Sequence, residues 1–200
     1  MTHLRQWELA TDAPYTLHLA SDARLSKTSY INDQSWDILL GSGDEAAIKL
    51  QTRYGSRTNL TSLVPMWQTD DRVIYQAQTY HNAPIITAFA PNRIIVNADI
   101  LPSVQLVADH MAFSSQVVAG QYMIHNNTKK TLNLRLDLFG HSIANDEEQK
   151  LAIITMADKA GHALSLGKYA RLAPVVLVEN GNADSMATGN ARPKVGVNVT

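Results

Sequence analysis

Thr131-Leu132-Asn133-Leu134-Arg135-Leu136-Asp137-Leu138 carries an aliphatic side chain at every even position and a polar one at every odd position. Successive side chains of a β-strand point to opposite faces, so this period of two describes a strand wet on one side and packed on the other. Its leucines must face a core. Just upstream, Val117 to His125 is apolar with looser alternation. Between the two, Asn126, Asn127, Thr128, Lys129 and Lys130 combine residues that tolerate turn geometry with charges that require water. The pattern predicts a β-hairpin between Val117 and Phe139.

The same grammar runs outward along the chain. Strand-like segments recur at Tyr15 to Ala20, Trp36 to Leu40, Ala47 to Tyr54, Thr61 to Trp67, Arg72 to Thr79, Ile85 to Phe89, Ile94 to Ile100 and Val104 to Phe113. Beyond the hairpin they resume at Leu151 to Met156, Ala163 to Leu166, Val175 to Val178 and Val195 to Val199. Turn residues punctuate them at Gly41 to Asp44, Asn82 to Pro84, Pro91–Asn92 and Asp158 to Gly161. Short strands at this spacing predict an all-β fold, an antiparallel β-sandwich of supersandwich-like form with little helix. Asp146 to Leu151 is the best helical candidate, and it is too short to stand without tertiary support. Residues 1–200 read as a single domain in which 180–192, rich in Asn, Gly and Ser, forms an exposed loop. Val195, Val197 and Val199 then restart the alternation and Thr200 falls inside it, so the expectation is the leading part of a larger chain.

Composition narrows the function classes. A chain of 200 residues can bury roughly 70% of its unfolded surface and needs no covalent staple. It has no cysteine, which removes thiol nucleophiles, iron–sulfur clusters and cysteine zinc sites. Seventeen basic against 18 acidic side chains leave no net field to attract nucleic acid or an anionic membrane. Met1 to Ala10 lacks the apolar region of a signal peptide, and no apolar run approaches the roughly 20 residues of a membrane span. The expected location is cytoplasmic. The sequons Asn59–Thr61, Asn126–Thr128 and Asn198–Thr200 carry little meaning without an export signal.

Candidate chemistry is sparse. The seven histidines, at positions 3, 18, 81, 110, 125, 141 and 162, include no pair at a spacing that would preassemble a metal site. His141, at the end of the best strand, and the neighbours Asp109 and His110 are the only seeds of a catalytic group. Gly41-Ser42-Gly43 has the look of a phosphate cradle, but a strand pattern follows where a helix N-terminus is needed, so it reads as a hairpin turn. The acidic pairs Asp44–Glu45 and Asp70–Asp71 and the run Asp146 to Glu148 fall on expected loops, where charge is simply solvated. Trp67, Tyr75 and Tyr80 cluster around the loop Gln68 to Arg72. An exposed ring there could stack on the C–H face of a sugar, and Trp67 and Tyr80 are the candidate carbohydrate contacts. The competing expectation for both is sheet core. No catalytic, cofactor-binding or metal-binding residue is assigned.

Trp36 to Glu45, followed by Leu50, Gln51, Thr52, Arg53, Tyr54 and Gly55, resembles the N-terminal β-sandwich domain of bacterial glycogen-debranching-like glycosidases. Leu134 to His141, ending Asp137, Leu138, Phe139, Gly140, His141, is similar to a strand of the same domain. In that family the sandwich precedes an (α/α)6 barrel that supplies the acid and base carboxylates. The resemblance implies a non-catalytic domain of a carbohydrate-active enzyme, with no cofactor, whose partners are a C-terminal catalytic domain of the same chain and an oligosaccharide. The alternative is a free-standing carbohydrate-binding module stacking sugars on Trp67 and Tyr80.

Overall fold

The computed structural model describes residues 9–10, 15–19, 35–54, 58–114 and 117–144, together with the strands at 152–155, 162–165, 175–177, 185–187 and 194–199. Sixteen strands and one 3-10 turn lie among these residues. In chain order they are β1 (Leu9–Ala10), β2 (Tyr15–Leu19), β3 (Ser35–Leu40), β4 (Lys49–Tyr54), β5 (Thr58–Gln68), β6 (Val73–Ile74), the 3-10 turn (Ala77–Thr79), β7 (Asn82–Ala90) and β8 (Arg93–Leu101). They continue with β9 (Val104–Ser114), β10 (Val117–Asn126), β11 (Leu134–Ala144), β12 (Ala152–Thr155), β13 (His162–Ser165), β14 (Val175–Leu177), β15 (Ser185–Ala187) and β16 (Lys194–Val199). All described pairings between strands are antiparallel.

Two large sheets carry the fold. One has the order β1-β7-β8-β9-β10, and the other β15-β16-β11-β5-β4-β3-β2 with β6 added beside β5. The strands β12, β13 and β14 form a third, three-stranded sheet. A single buried cluster joins Ile38, Leu40, Trp67, Leu134, Leu136 and Leu138 of the second sheet to Ile86, Ile94, Val96, Leu106 and Ala108 of the first. The antiparallel sandwich expected from the alternation is the fold observed, and helix is almost absent among the described residues. In β8 the inner positions Ile94, Val96, Ala98 and Ile100 are buried while Arg93, Ile95, Asn97 and Asp99 are half-buried on the outer face, as a strand with one packed face demands.

The expected hairpin between Val117 and Phe139 does not form. β10 pairs with β9, from Val117 opposite Ser114 to Asn126 opposite Val104, whereas β11 lies between β5 and β16 in the other sheet. Residues 127–133 are an arch that carries the chain across the sandwich. Facing sheets stack about 10 Å apart, a gap this segment spans easily. Alternation fixes which face of a strand is buried and says nothing about which strand sits beside it. Tyr122 and Ile124 thus meet Leu134, Leu136 and Leu138 through the core, from opposite layers, rather than side by side.

Smaller departures have local causes. The strand expected over Arg72 to Thr79 shrinks to β6, because Thr79 Oγ1 donates to the Gln76 carbonyl (2.7 Å) and accepts from the Tyr75 amide (3.2 Å), closing a 3-10 turn. That turn docks on the β3–β4 connection through Ala47 N to Tyr75 O (2.7 Å), Ala77 N to Glu45 O (3.0 Å) and Gln78 N to Gly43 O (2.9 Å). Asn82 to Pro84, expected as a turn, instead opens β7, with the ladder shifting register between Asn82 and Ile85. Ser185–Ala187, inside the expected 180–192 loop, pairs with β16 as β15. The helical candidate Asp146 to Leu151 and the Asp158 to Gly161 turn lie outside the described residues.

Candidate functional site

Trp67 and Tyr80 are core residues. Trp67 is fully buried and Tyr80 is 6% exposed, so neither offers a ring face to a sugar. Their expected role as carbohydrate contacts is corrected by a simple cause. On β5 the odd positions Trp67 and Pro65 oppose Leu136 and Leu138 of β11 in register, which turns Trp67 inward. The indole Nε1 then donates to the Tyr80 hydroxyl at 3.1 Å, which satisfies the one polar atom a buried tryptophan brings. Burial pushes the Tyr80 hydroxyl well above the ordinary tyrosine range, the Trp67 bond opposing it. Tyr122 crosses edge to face against Trp67, with ring centroids 5.9 Å apart.

Asp109 and His110 cannot act together. Adjacent residues on a strand point to opposite faces. His110 points into the core at 1% exposure, while Asp109 accepts from Arg93 Nε (2.9 Å) on the outer face. His141, on β11 of the other sheet, is exposed at the register position opposite Ser62. The three seeds of a catalytic group are thus dispersed. Among the described residues no cluster of three or more His, Asp or Glu is arranged to hold a metal ion. The stretch Gly41-Ser42-Gly43 is the hairpin turn expected from the sequence: Gly41 N donates to Ala46 O (3.1 Å), Ser42 N to Glu45 Oε2 (3.2 Å), and Gly43 adopts φ +57°. The Gly41 and Ser42 amides are spent on the turn, and strand β4 follows where a phosphate cradle needs a helix N-terminus. Asp71 is fully solvated, and a hydrogen bond from Thr69 lowers its pKa first, with its own backbone amide adding to the effect.

The structure assembles two features that the sequence left scattered. One is a buried polar cluster under β10. His110 Nε2 lies 3.2 Å from the Tyr122 hydroxyl, the two rings meet edge to face at 5.5 Å, and Gly120 sits directly across the β9–β10 ladder from His110. A Cβ on residue 120 would stand 3.0 Å from His110 Cδ2, so glycine makes room for the ring. A lone glycine in an apolar strand signals such a close approach, and it was the available clue. Burial pushes the His110 imidazole down to about 4, the nearby Asp109 charge pulling weakly the other way. Burial likewise raises the Tyr122 hydroxyl, with neighbouring Tyr80 adding to it.

The other feature is a cleft of about 680 Å³ beneath the 127–133 arch, at the end of the sandwich where β8 turns into β9. Aliphatic side chains of Leu101, Val104, Ile124 and Leu134 line its interior, and Lys129, Lys130, Asn133 and Asp70 stand around it. The arch is pinned by its own hydrogen bonds. Asn126 Oδ1 accepts from Thr128 N (2.9 Å) and Thr128 Oγ1 (2.6 Å), and Asn126 Nδ2 donates to Lys130 O (2.9 Å). The Asn127 amide donates to Ser103 O (2.9 Å), tying the arch to the β8–β9 turn, where Ser103 takes φ +64°. Asn126 and Thr128 are turn formers in the sequence; only the crossing between sheets turns them into the roof of a cleft. No helix among the described residues is long and apolar enough to cross a membrane. Comparison with family models, curated proteins and solved structures finds no match to this chain.

Proposed function

We propose that this chain is a non-catalytic β-sandwich domain of a bacterial, cytoplasmic, carbohydrate-active enzyme of the glycogen-debranching-like type, bracing an (α/α)6 catalytic barrel formed by polypeptide beyond residue 200. The observation that carries this reading over a free-standing sugar-binding module is the buried hydrogen bond between Trp67 and Tyr80, which commits to the core the two rings a module would need on its surface. Two further observations support it. The stretches that resemble the glycosidase domain fall on β3, β4 and β11 of one sheet, separated only by β5. At the β9–β10 end of the other sheet Phe113 and Val117 stand 62% and 52% exposed, large hydrophobic side chains of the kind a neighbouring domain covers.

Two measurements test the proposal. Purified chain incubated with malto-oligosaccharides should release no reducing sugar, and turnover of any oligosaccharide refutes the non-catalytic role. Reading the gene past the codon for Thr200 should reveal a run of long amphipathic helices, whereas an immediate stop codon sinks the bracing role.

A further inference from the structure

The cleft beneath the arch has features that bracing a neighbouring domain does not require. Its floor is aliphatic, from Leu101, Ile124 and Leu134, and two consecutive lysines, Lys129 and Lys130, border it. Neither lysine has a carboxylate partner among the described residues, while Arg93 and Arg135 are both paired. Two neighbouring cations without an ion-pair partner repel each other, and the arch fixes the backbone that carries them both. Thr128 Oγ1 accepts from Lys130 N (3.2 Å), on top of the Asn126 bonds. Across the cleft the 69–72 turn is closed as well, by Thr69 N to Arg72 O (3.0 Å). The backbone of both walls is therefore set before any ligand arrives, which lowers the ordering penalty of binding.

We propose that this cleft binds a small organic anion with an apolar body, the anionic head meeting Lys129 and Lys130 and the body lying on Leu101, Ile124 and Leu134. Each part of the ligand answers one part of the site. Ammonium groups form charge-assisted hydrogen bonds to carboxylate or phosphate oxygens, and the aliphatic floor gains by leaving water. Asp70 also borders the cleft, so the mouth is not uniformly cationic and a bare inorganic anion gains less than one whose body fills the floor. A volume of about 680 Å³ lies within the range of about 300–1,000 Å³ typical of small-molecule sites. The inference is independent of the carbohydrate reading and stands or falls on its own test.

Isothermal titration calorimetry of the full chain with octanoate and with octyl phosphate, both below micelle formation, provides that test. Octyl β-glucoside and inorganic phosphate are the controls. At least one octyl anion should bind with a dissociation constant below about 1 mM. Binding should weaken about tenfold or more in the Lys129→Ala/Lys130→Ala double variant, the scale expected for losing two charge-assisted contacts. It should also weaken as salt is raised. Because both lysines are exposed, the double variant should retain the wild-type urea transition. Thr131→Trp, at another exposed position lining the cleft, should block binding by filling it. Four results each overturn the proposal: neither octyl anion binds, the double variant binds as tightly as wild type, the glucoside binds equally well, or inorganic phosphate binds equally well, which would mark an adventitious ion only.

Discussion

Acidification should loosen this sandwich through His110. In the folded state the ring is sealed between β8 and β10, faces the Tyr122 hydroxyl, and is held down to about 4 by burial. Its Nδ1 is buried with no hydrogen-bond partner among the described residues, so none of them compensates a second proton. In the unfolded chain the same imidazole titrates near 6.5. Between those two values the unfolded state binds the proton and the folded state does not, so stability falls as pH falls through that window and is fully present above it. The gap from 6.5 to about 4, at about 1.4 kcal/mol per pH unit, corresponds to about 3 kcal/mol lost on going from pH 7 to pH 4. Carboxylates titrate over part of the same range, so the effect is isolated by difference. Urea denaturation at pH 7, 6, 5 and 4 should show the stability advantage of wild type over His110→Gln shrinking by about 3 kcal/mol toward acid. An NMR titration of the His110 ring protons gives the direct readout, with a midpoint well below 6.5. A His110 that titrates near 6.5, or denaturation curves that stay parallel across the pH series, would refute the reasoning.

Three other outcomes follow from particular contacts. Tyr80→Phe removes the acceptor for Trp67 Nε1 and strands a buried donor, so it should lower unfolding free energy by about 1–3 kcal/mol, whereas Tyr75→Phe, at a half-buried position with no partner of this kind among the described residues, should be near neutral. At Gly41 an added Cβ would run into the Ala46 carbonyl oxygen, a backbone atom that cannot yield; at Gly43 the space is open and only the positive φ resists. Gly43→Ala should therefore cost about 1–2 kcal/mol and Gly41→Ala more, with Gly43→Asn the mildest of the three by thermal melting. Arg93 and Asp109 form a pair whose side chains are 38% and 15% exposed, so a double-mutant cycle to alanine should find a coupling of no more than about 1 kcal/mol that fades with salt.

Local pattern told most of the strand inventory. The alternation in Thr131 to Leu138 marked its four leucines as core and its polar positions as wet; Leu134, Leu136 and Leu138 are buried, whereas Leu132 is half-buried ahead of β11 and Asp137, on the expected wet face, is 4% exposed. The glycine pair at 41 and 43 marked a hairpin turn, and β3 and β4 pair across it. These are readings of single strands and tight turns, where side-chain period and backbone sterics act over a few residues. Partner choice is a different matter. The sequence put β10 beside β11 because they are neighbours along the chain. The fold sends them to opposite layers, since each finds its register on another strand: Ala108 opposite Tyr122, and Trp67 opposite Leu136.

The candidate sites divide in the same way. Trp67 and Tyr80 are recognisable from sequence as large aromatics beside a polar loop, yet whether such a ring faces sugar or core depends on a strand that pairs with β5 from some 70 residues away. Asp109 and His110 are adjacent in sequence and separated by the thickness of a sheet in space. Lys129 and Lys130 look like the tip of a hairpin until the chain crosses from one sheet to the other beneath them. Side-chain period, composition and turn chemistry are properties of the chain taken a few residues at a time, and they determined the all-β class, the buried leucines and the turns. The arch with its cleft, the sealed histidine and the loss of the aromatic platform arise only when two sheets stack, because burial is a relation between segments distant in sequence.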